Sequence, residues 1–339
     1  MHRSIYGWIL CAVSLLIIGI PACNEFSQVA EKTREAANDL VEKGRESGIL
    51  GPAPGTTTQT SQRILDRNPG EVVIGTMNIE KFGVKKIADK EVMPVLVKIA
   101  RQFDCLAIQE IQSRHDQTIL EQFVNMINAD GSQYSYVISA LLGTERYTEQ
   151  YAYVFDTSRI ELMDQGFVVP DPYNLLQREP MVCRFRTRTA DPSQAFTFAL
   201  ANVHTVPSQS RSELTTLYEV YVWLKSYMND EDDIIMLGDF NEPPRKYGQL
   251  WQIQTLAAAL PDGVFTNTAQ NASYDNVLFD RQFTHEFTGK AGVMDIERTF
   301  GLTRDQAQRV SDHLPVWAVF TAGERRSSQY AVQPAWQGR

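Results

Sequence analysis

Short apolar runs recur along this chain, and several of them end in a polar side chain suited to a metal ion or a phosphate. The run at residues 234–237, for example, leads directly into Gly238-Asp239-Phe240-Asn241. Such runs predict buried strands, and open α/β sheets bind ligands beyond the carboxyl ends of their strands. The polar residues that end or open such runs are Asn78, Glu110, His204, Asp239, Asn241, Asp275, Asp312 and His313. A single ending of this kind is typical of a polar turn, whereas this number indicates convergence at one rim.

Helical segments alternate with the strands on both flanks of the chain. Residues 89–103 carry apolar side chains spaced for one helical face, and residues 119–127 repeat the pattern. The longest helix is predicted to start at Ser210-Arg211-Ser212-Glu213, which has the sequence of a capping box. Strand candidates follow one another closely in the middle of the chain, including one over residues 161–169. This order predicts an α/β fold with mixed sheets.

The composition indicates an ordered and acidic protein. The chain has 339 residues, of which 43% are hydrophobic, so a sizeable core is expected. Its formal charge of -9 argues against a high-affinity nucleic-acid binder, which is usually basic. The charge does not exclude an enzyme that contacts a phosphate through a metal ion and a few arginines. Cys105 and Cys183 lie in apolar runs and are expected to be buried free thiols.

The N-terminus is predicted to export the protein. His2 and Arg3 precede an apolar run over residues 5–20, which has the length of a signal-peptide core. The run ends in Ile20-Pro21-Ala22-Cys23, which resembles a bacterial lipoprotein cleavage box with Cys23 as the lipidated residue. We therefore expect a signal peptide at 1–22 and a membrane-anchored lipoprotein at the cell envelope or surface. Ordinary cleavage to give a secreted protein and an uncleaved anchor are the alternatives.

The remaining boundaries follow from composition. Residues 23–68 combine a short charged helical segment with a Gly/Pro-rich and Thr/Gln/Ser-rich stretch, which predicts a tether with a flexible linker. Residues 69–322 form the predicted globular domain. Residues 323–339 are polar and predict a flexible tail.

Four segments resemble, in order, the motifs of the endonuclease/exonuclease/phosphatase superfamily. They are Thr76-Met77-Asn78-Ile79-Glu80, Ile108-Gln109-Glu110, Gly238-Asp239-Phe240-Asn241 and Ser311-Asp312-His313-Leu314-Pro315. Three more segments are similar to the deoxyribonuclease I branch, namely Tyr147-Thr148-Glu149-Gln150-Tyr151-Ala152-Tyr153, Arg178-Glu179-Pro180 and Asn202-Val203-His204-Thr205-Val206-Pro207-Ser208. The resemblance covers roughly residues 69–322. It implies a four-layer α/β sandwich, in which two mixed β-sheets face each other and helices lie outside.

The resemblance also implies roles for these residues. Glu110, Asp312 and Asn78 would bind the metal, with Mg²⁺ expected and Ca²⁺ or Mn²⁺ as alternatives; hard oxygen ligands suit these ions. The histidines titrate near neutrality and would serve as a general acid and a general base. The family pattern pairs Glu149 with His204 and Asp275 with His313. Asp239 would orient the attacking water or bind metal.

Substrate contacts are predicted for Asn78, Asn241, Arg178 and Tyr147. The two amides are donors to a phosphate oxygen, Arg178 offers a planar fork, and Tyr147 would lie against a sugar or a base. The sequence departs from deoxyribonuclease I after Glu110. Gln112 stands where that enzyme has an arginine that enters the minor groove, and the nearby arginine is Arg114.

These motifs predict a metal-dependent endonuclease that hydrolyses DNA phosphodiester bonds with little sequence preference. DNA is the expected substrate, the lipid anchor the expected link to a membrane, and a monomer without an obligate protein partner the expected state. The first alternative keeps the chemistry but acts on a lipid headgroup or another small phosphoester, as sphingomyelinases and inositol-phosphate phosphatases do. The second alternative is a surface binding module without catalysis.

Overall fold

The computed structural model of the chain describes residues 65, 68–113, 118–144 and 148–325. Within these ranges the strands are β1 (Glu71–Phe82), β2 (Cys105–Ile111), β3 (Tyr134–Ile138), β4 (Gln150–Asp156), β5 (Ile160–Leu162), β6 (Phe167–Val168), β7 (Met181–Thr187), β8 (Thr197–His204), β9 (Ile234–Asp239), β10 (Leu256–Ala258), β11 (Asp275–Asp280), β12 (Phe287–Val293) and β13 (Val316–Thr321). The α-helices are α1 (Val84–Ile87), α2 (Met93–Ala100), α3 (Ile119–Ile127), α4 (Ser210–Tyr227), α5 (Ile296–Phe300) and α6 (Arg304–Val310).

The strands form two mixed sheets. The first sheet has the order β12-β13-β1-β2-β4-β3, and the second has the order β10-β11-β9-β8-β7-β5, with β6 beside β7. Two neighbouring pairs are parallel, β1 with β2 and β8 with β9, while the other pairs are antiparallel. Each parallel pair lies centrally in its sheet, so the carboxyl ends of four central strands share one edge of the molecule.

The sheets pack face to face, and helices cover their outer faces. Large aromatic side chains fill the gap between the sheets, among them Tyr153, Phe185 and Phe198, all fully buried. Helices α2, α3 and α6 pack on the outer face of the first sheet, and α4 packs on the outer face of the second. Burial of one such aromatic side chain contributes about 2–3 kcal/mol as an upper value. The predicted four-layer sandwich is therefore confirmed.

A buried polar link joins the two sheets beneath the edge where the parallel strands end. Gln109 of β2 donates from Nε2 to Asn202 Oδ1 of β8 at 2.6 Å and to Thr76 Oγ1 of β1 at 2.8 Å. Asn202 Nδ2 in turn donates to the carbonyl oxygens of Ile108 (3.2 Å) and Ala152 (3.3 Å). Buried polar groups that are paired in this way favour one alignment over its alternatives, because any slip would leave them unsatisfied.

Two details of the predicted helices are wrong. The helix expected over residues 89–103 is shorter, because Asp89 Oδ1 accepts from the backbone N–H groups of Glu91 and Val92 in a turn that precedes α2. The capping box at Ser210 is absent, although α4 does start there. Glu213 is instead buried and accepts from the backbone N–H groups of Val206 (2.6 Å) and Gln177 (2.8 Å). It therefore holds two loops against the helix.

Other predictions have mixed outcomes. The strand expected over residues 161–169 is divided into β5 and β6 by a turn in which Gly166 has φ +71°. Cys105 and Cys183 are buried free thiols, as predicted. Within the described ranges no helix is both long and apolar enough to cross a bilayer. The signal peptide, Cys23, nearly all of the tether and residues 326–339 lie outside the described residues, and the domain boundaries stay predictions.

Candidate active site

The candidate site lies at the edge where β1, β2, β8 and β9 end. His204 and Asp239 are register partners at the ends of the parallel strands β8 and β9, and Asp275 at the start of β11 pairs with Asp239 from the other side. Asn78 and Glu110 come from the facing sheet. The site is therefore assembled from both sheets.

Irregular backbone turns Glu110 toward this edge. The β1–β2 pairing is interrupted after Asn78, and Glu80, Lys81 and Glu110 have positive φ angles of 47°, 50° and 60°. Bulges of this kind re-aim side chains, and left-handed backbone at residues other than glycine concentrates at functional sites. As a result Glu110 accepts from Asn78 Nδ2 at 3.0 Å and from the Lys81 backbone N–H at 2.9 Å.

His204 forms a buried triad with Glu149 and Arg178. The His204 Nδ1 atom lies 2.8 Å from Glu149 Oε1, and Arg178 Nη1 donates to Glu149 Oε2 at 3.2 Å. Arg178 also donates to the backbone oxygens of His204 and Thr205, both at 3.1 Å. Because an ionised carboxylate only accepts, Nδ1 carries the hydrogen and Nε2 faces the edge. All donor nitrogens of Arg178 thus serve the protein itself, which favours a positioning role over the predicted phosphate contact.

His313 forms a second pair with Asp275. The His313 Nδ1 atom lies 2.9 Å from Asp275 Oδ2, which also accepts from the Thr266 hydroxyl at 2.8 Å. Asp275 is 2% exposed. Its other oxygen, Oδ1, is buried without a hydrogen-bond partner among the described residues. The pair has the same orientation as the first, with Nδ1 on the carboxylate and Nε2 free for the edge.

One oxygen of Asp239 lies between the two rings. Asp239 Oδ2 is 3.4 Å from His204 Nε2, 3.5 Å from His313 Nε2 and 3.2 Å from Asn78 Nδ2. Its Oδ1 accepts from the Asn241 backbone N–H at 2.9 Å. Asp239 Oδ2 therefore lies where the two histidines predicted to transfer protons meet Asn78, the predicted hydrogen-bond donor to the phosphate.

The carboxylates of the site raise the pKa values of both histidines, and that of His313 the more. Burial opposes the charged rings, but Glu149 raises the pKa of His204 above its ordinary 6.5, and Asp275 raises the pKa of His313 well above that value. Burial also opposes ionisation of Asp239, yet attraction to His313 and His204 holds the pKa of Asp239 below its ordinary 3.8. A charged His313 ring at the edge attracts a phosphate anion.

The oxygen donors suit a hard divalent cation. Asp239, Asp275 and His313 have ligand atoms within 4.8 Å of one another, but Asp275 is already engaged by His313 and Thr266. Glu110 and the largely exposed Asp312 offer the more accessible carboxylates. Partial desolvation, together with the like charges of Glu80 and Glu110, raises the pKa of Asp312. A bound cation would relieve the repulsion among these carboxylates.

The remaining predicted residues lie around this centre. The Asn78 side chain faces inward, with Oδ1 accepting from the Glu80 backbone N–H at 2.9 Å. Asn241 has φ 51°, and its Nδ2 donates to the Thr205 carbonyl oxygen at 2.8 Å. Tyr147 and Arg114 lie outside the described residues. A cleft of about 670 Å³, lined among others by Glu80, Lys81, Gln112, Leu141 and Thr148, opens beside the site.

The sequence analysis did not identify the residues whose hydrogen bonds fix the predicted catalytic and metal-binding side chains in place. Thr266 fixes Asp275, the Lys81 backbone fixes Glu110, and Gln109 ties the two sheets together below them. Gln109 carried a usable signal, since a polar residue inside a buried strand must find a partner. Thr266 carried none, because it lies in a loop.

Comparisons with known proteins agree with this geometry. No family model matches the chain. The chain is 31% identical over 254 residues to deoxyribonuclease-1-like 1 of Sus scrofa, an alignment that covers 72% of this chain and 79% of that protein. It is 27% identical over 265 residues to deoxyribonuclease-1 of Bos taurus, covering 73% and 92%.

Solved structures show the same fold. A functionally unknown conserved protein from Enterococcus faecalis V583 superposes with a TM-score of 0.52 at 16% identity, covering 74% of this chain and 100% of that chain. The human Nocturnin catalytic domain superposes with a TM-score of 0.50 at 15% identity, covering 74% and 94%. At these identities the likeness extends to the fold alone.

Proposed function

The chain belongs to the deoxyribonuclease I-like branch of the endonuclease/exonuclease/phosphatase superfamily, and we propose that it is an exported, metal-dependent endonuclease that cleaves DNA with little sequence preference. A nuclease or phosphodiesterase of this superfamily is supported by relatives that are deoxyribonucleases. The observation that carries the proposal is the convergence of His204 Nε2 and His313 Nε2 on Asp239 Oδ2, at 3.4 and 3.5 Å.

Hydrolysis of a phosphodiester needs a base, an acid and neutralisation of charge at phosphorus. The oxygen of water forms a bond to phosphorus while the bond to the leaving oxygen breaks. One histidine takes the proton of the water, and the other gives a proton to the leaving oxygen. The carboxylates on the Nδ1 atoms hold both rings in the tautomer or charge state that this exchange requires.

The two histidines differ in ways that support separate roles. Arg178 opposes the charging of His204, so His204 is the better candidate for the base. The pKa of His313 is raised well above 6.5, chiefly by Asp275 once burial is overcome, so His313 is the better candidate for the acid. Asp239 would orient the water between them, and Asn78 and Asn241 border the position of the phosphate.

Glu110 and Asp312 would hold the divalent cation, which we propose to be Mg²⁺. When bound, such an ion supplies positive charge to the phosphate in the transition state. Asn78 is predicted as a third ligand, but its Nδ2 donates to Glu110 Oε1 and to Asp239 Oδ2. This contact supports a role in orienting Glu110 as well.

Export and anchoring are a separate part of the proposal. They rest on the charged start, the apolar run and Cys23 in the sequence. Cys23→Ser should move the protein from the membrane fraction to the soluble fraction of cells without changing its nuclease activity. Unchanged membrane association in this variant would favour an uncleaved anchor.

The nuclease proposal is tested by plasmid nicking in Mg²⁺, with and without EDTA. We expect Glu110→Ala and His204→Ala to lose about 10²- to 10⁴-fold in rate, the usual contribution of a catalytic acid or base. His285→Ala and Asp262→Asn are matched controls outside the site and should nick at the parental rate. Full activity in both site variants would refute the mechanism. Release of phosphocholine from sphingomyelin without any nicking would replace DNA by a small phosphoester.

A further inference from the structure

Lys86 of α1 joins two chain segments that carry predicted metal ligands. Its Nζ atom donates to the carbonyl oxygen of Ile79 at 2.6 Å and to that of Val310 at 2.9 Å. Ile79 follows Asn78 in β1, and Val310 ends α6 two residues before Asp312. One ammonium group therefore connects the end of β1 to the segment that holds Asp312.

Both of these carbonyl groups lie where regular backbone hydrogen bonding stops. Ile79 falls in the interruption of the β1–β2 ladder, and β1 pairs with β13 only as far as Thr76. Val310 is the last residue of α6, and the last carbonyl groups of an α-helix have no partner within the helix. A cation near the C-terminus of a helix is also stabilising. Lys86 thus satisfies two acceptors that the strands and the helix leave open.

The Asp312 carboxylate depends on its backbone for its position. Its Oδ1 atom lies 4.0 Å from His313 Nε2, which is beyond hydrogen-bond distance. The Glu110 carboxylate, by contrast, accepts two hydrogen bonds. The Ser311 hydroxyl donates to the Asn78 carbonyl oxygen at 2.7 Å and so adds a second link between the backbone beside Asp312 and β1. The separation of Asp312 from Glu110 is therefore set by main-chain anchors of this kind.

The charge of Lys86 acts on the same carboxylates. Burial lowers the pKa of Lys86 from its ordinary 10.5, and the negative charges of Glu80, Asp312 and Glu110 oppose this effect. A positive charge at this place repels a divalent cation, whereas the two hydrogen bonds of Lys86 fix the backbone beside the ligands. The two effects change the metal affinity in opposite directions, so a substitution that removes both reveals the larger one.

We propose that Lys86 is a positioning residue for the metal site, and that its two hydrogen bonds hold Asp312 at the separation from Glu110 that a divalent cation requires. This inference rests on the proposed nuclease function and adds a residue to it. Groups that orient metal ligands contribute about 10- to 100-fold to metal affinity or activity. Positioning outweighs repulsion here, because the neighbouring carboxylates already balance the charge of the ammonium group.

The test is Mg²⁺ binding by the full-length protein, measured by isothermal titration calorimetry, with plasmid nicking alongside. Lys86→Met keeps most of the length of the side chain but removes its charge and both hydrogen bonds. It should raise the Kd for Mg²⁺ about 10- to 100-fold, and its nicking rate should recover toward the parental rate at saturating Mg²⁺. In a protein that already carries Asp312→Asn, Lys86→Met should change the Kd by less than about threefold, because Lys86 acts through Asp312.

Two other lysines provide matched controls. Lys85→Met removes the exposed ammonium group of the neighbouring residue in α1. Lys225→Met removes a partly exposed ammonium group that is paired with Asp280, away from the site. Both variants should bind Mg²⁺ with the parental affinity, which shows that the loss of a lysine charge alone does not weaken the metal site.

Unchanged or tighter Mg²⁺ binding by Lys86→Met would overturn the positioning role, and so would a fully additive effect in the protein that carries Asp312→Asn. If Lys86→Met does not fold, Lys86→Gln replaces it, because its amide is too short to reach both carbonyl oxygens. Failure of the nuclease function gives a different result. The parent would then bind Mg²⁺ without nicking the plasmid, and the effect of Lys86→Met on the Kd would still decide the role of Lys86.

Discussion

Replacement of Glu149 by glutamine should disable His204 by one of two routes. Glu149 accepts from two buried donors, His204 Nδ1 at 2.8 Å and Arg178 Nη1 at 3.2 Å. A glutamine has one carbonyl oxygen and one NH₂ group, so it satisfies only one of them. If the NH₂ group faces His204, the ring hydrogen moves to Nε2, which then cannot accept a proton from water. If it faces Arg178, two donors oppose each other.

The magnitudes follow from the burial of the triad. Glu149, Arg178 and His204 are 4%, 6% and 7% exposed. Loss of one partner of such a buried ion pair costs about 3 kcal/mol, which corresponds to a fall of about 6–12 °C in the midpoint of thermal unfolding. Loss of the correct tautomer should lower kcat by about 10²- to 10⁴-fold. The pKa of His204 should fall, since Glu149 is the main group that raises it against burial.

Plasmid nicking and calorimetry of Glu149→Gln, Arg178→Met and the double variant distinguish these effects. Arg178→Met removes the guanidinium that Glu149→Gln leaves unpaired, so the double variant should unfold at a higher temperature than the sum of the two losses predicts. Its activity should stay low, because the His204 ring still lacks its carboxylate. Strictly additive stability losses, or activity of Glu149→Gln within threefold of the parent, would refute this reasoning.

Three further variants test other parts of the site. Asp275→Asn should lower the pKa of His313 and move the alkaline limb of the pH profile of kcat/KM to lower pH; a stationary limb would contradict the assignment of His313 as the acid. The same change should remove stability that is fully present below pH 6.5 and is lost as pH rises through the raised pKa of His313. Gly238→Ala should cost about 3 kcal/mol or more in urea unfolding, because φ is +146° and the new Cβ would lie 1.9 Å from the Val203 carbonyl oxygen. Asp312→Asn should raise the Mg²⁺ concentration for half-maximal nicking about tenfold, and an unchanged requirement would exclude Asp312 as a ligand.

The fold and family could be predicted because their signals are local in sequence. An apolar run such as residues 234–237 fixes a buried strand, and the polar residue that ends it must lie at the edge of the sheet. Asp239, His204 and Glu110 were therefore located without knowledge of the sheet order. That the two sheets pack face to face was predicted from the resemblance of the motifs to one superfamily, because hydrophobic periodicity does not show how sheets pack against each other.

The errors arose where a distant partner decides a local conformation. Glu213 has the spacing of a capping-box residue, but its carboxylate accepts hydrogen bonds from the backbone N–H groups of Gln177 and Val206, which lie in loops, and does not cap the helix. Thr266 lies in a loop whose course depends on the packed sheets, so its hydrogen bond to Asp275 could not be predicted.

Each histidine and its carboxylate stand on opposite sides of the gap between the sheets. His204 ends β8 in the second sheet while Glu149 adjoins β4 in the first, and His313 adjoins β13 in the first while Asp275 opens β11 in the second. A displacement of one sheet against the other by about 1 Å would cost on the order of 100-fold in rate and leave every strand intact. The turnover rate therefore depends on how accurately the two sheets are aligned. In a urea titration the nuclease activity should be lost before the circular dichroism signal changes. Hydrostatic pressure should inhibit the enzyme reversibly while the protein is still folded.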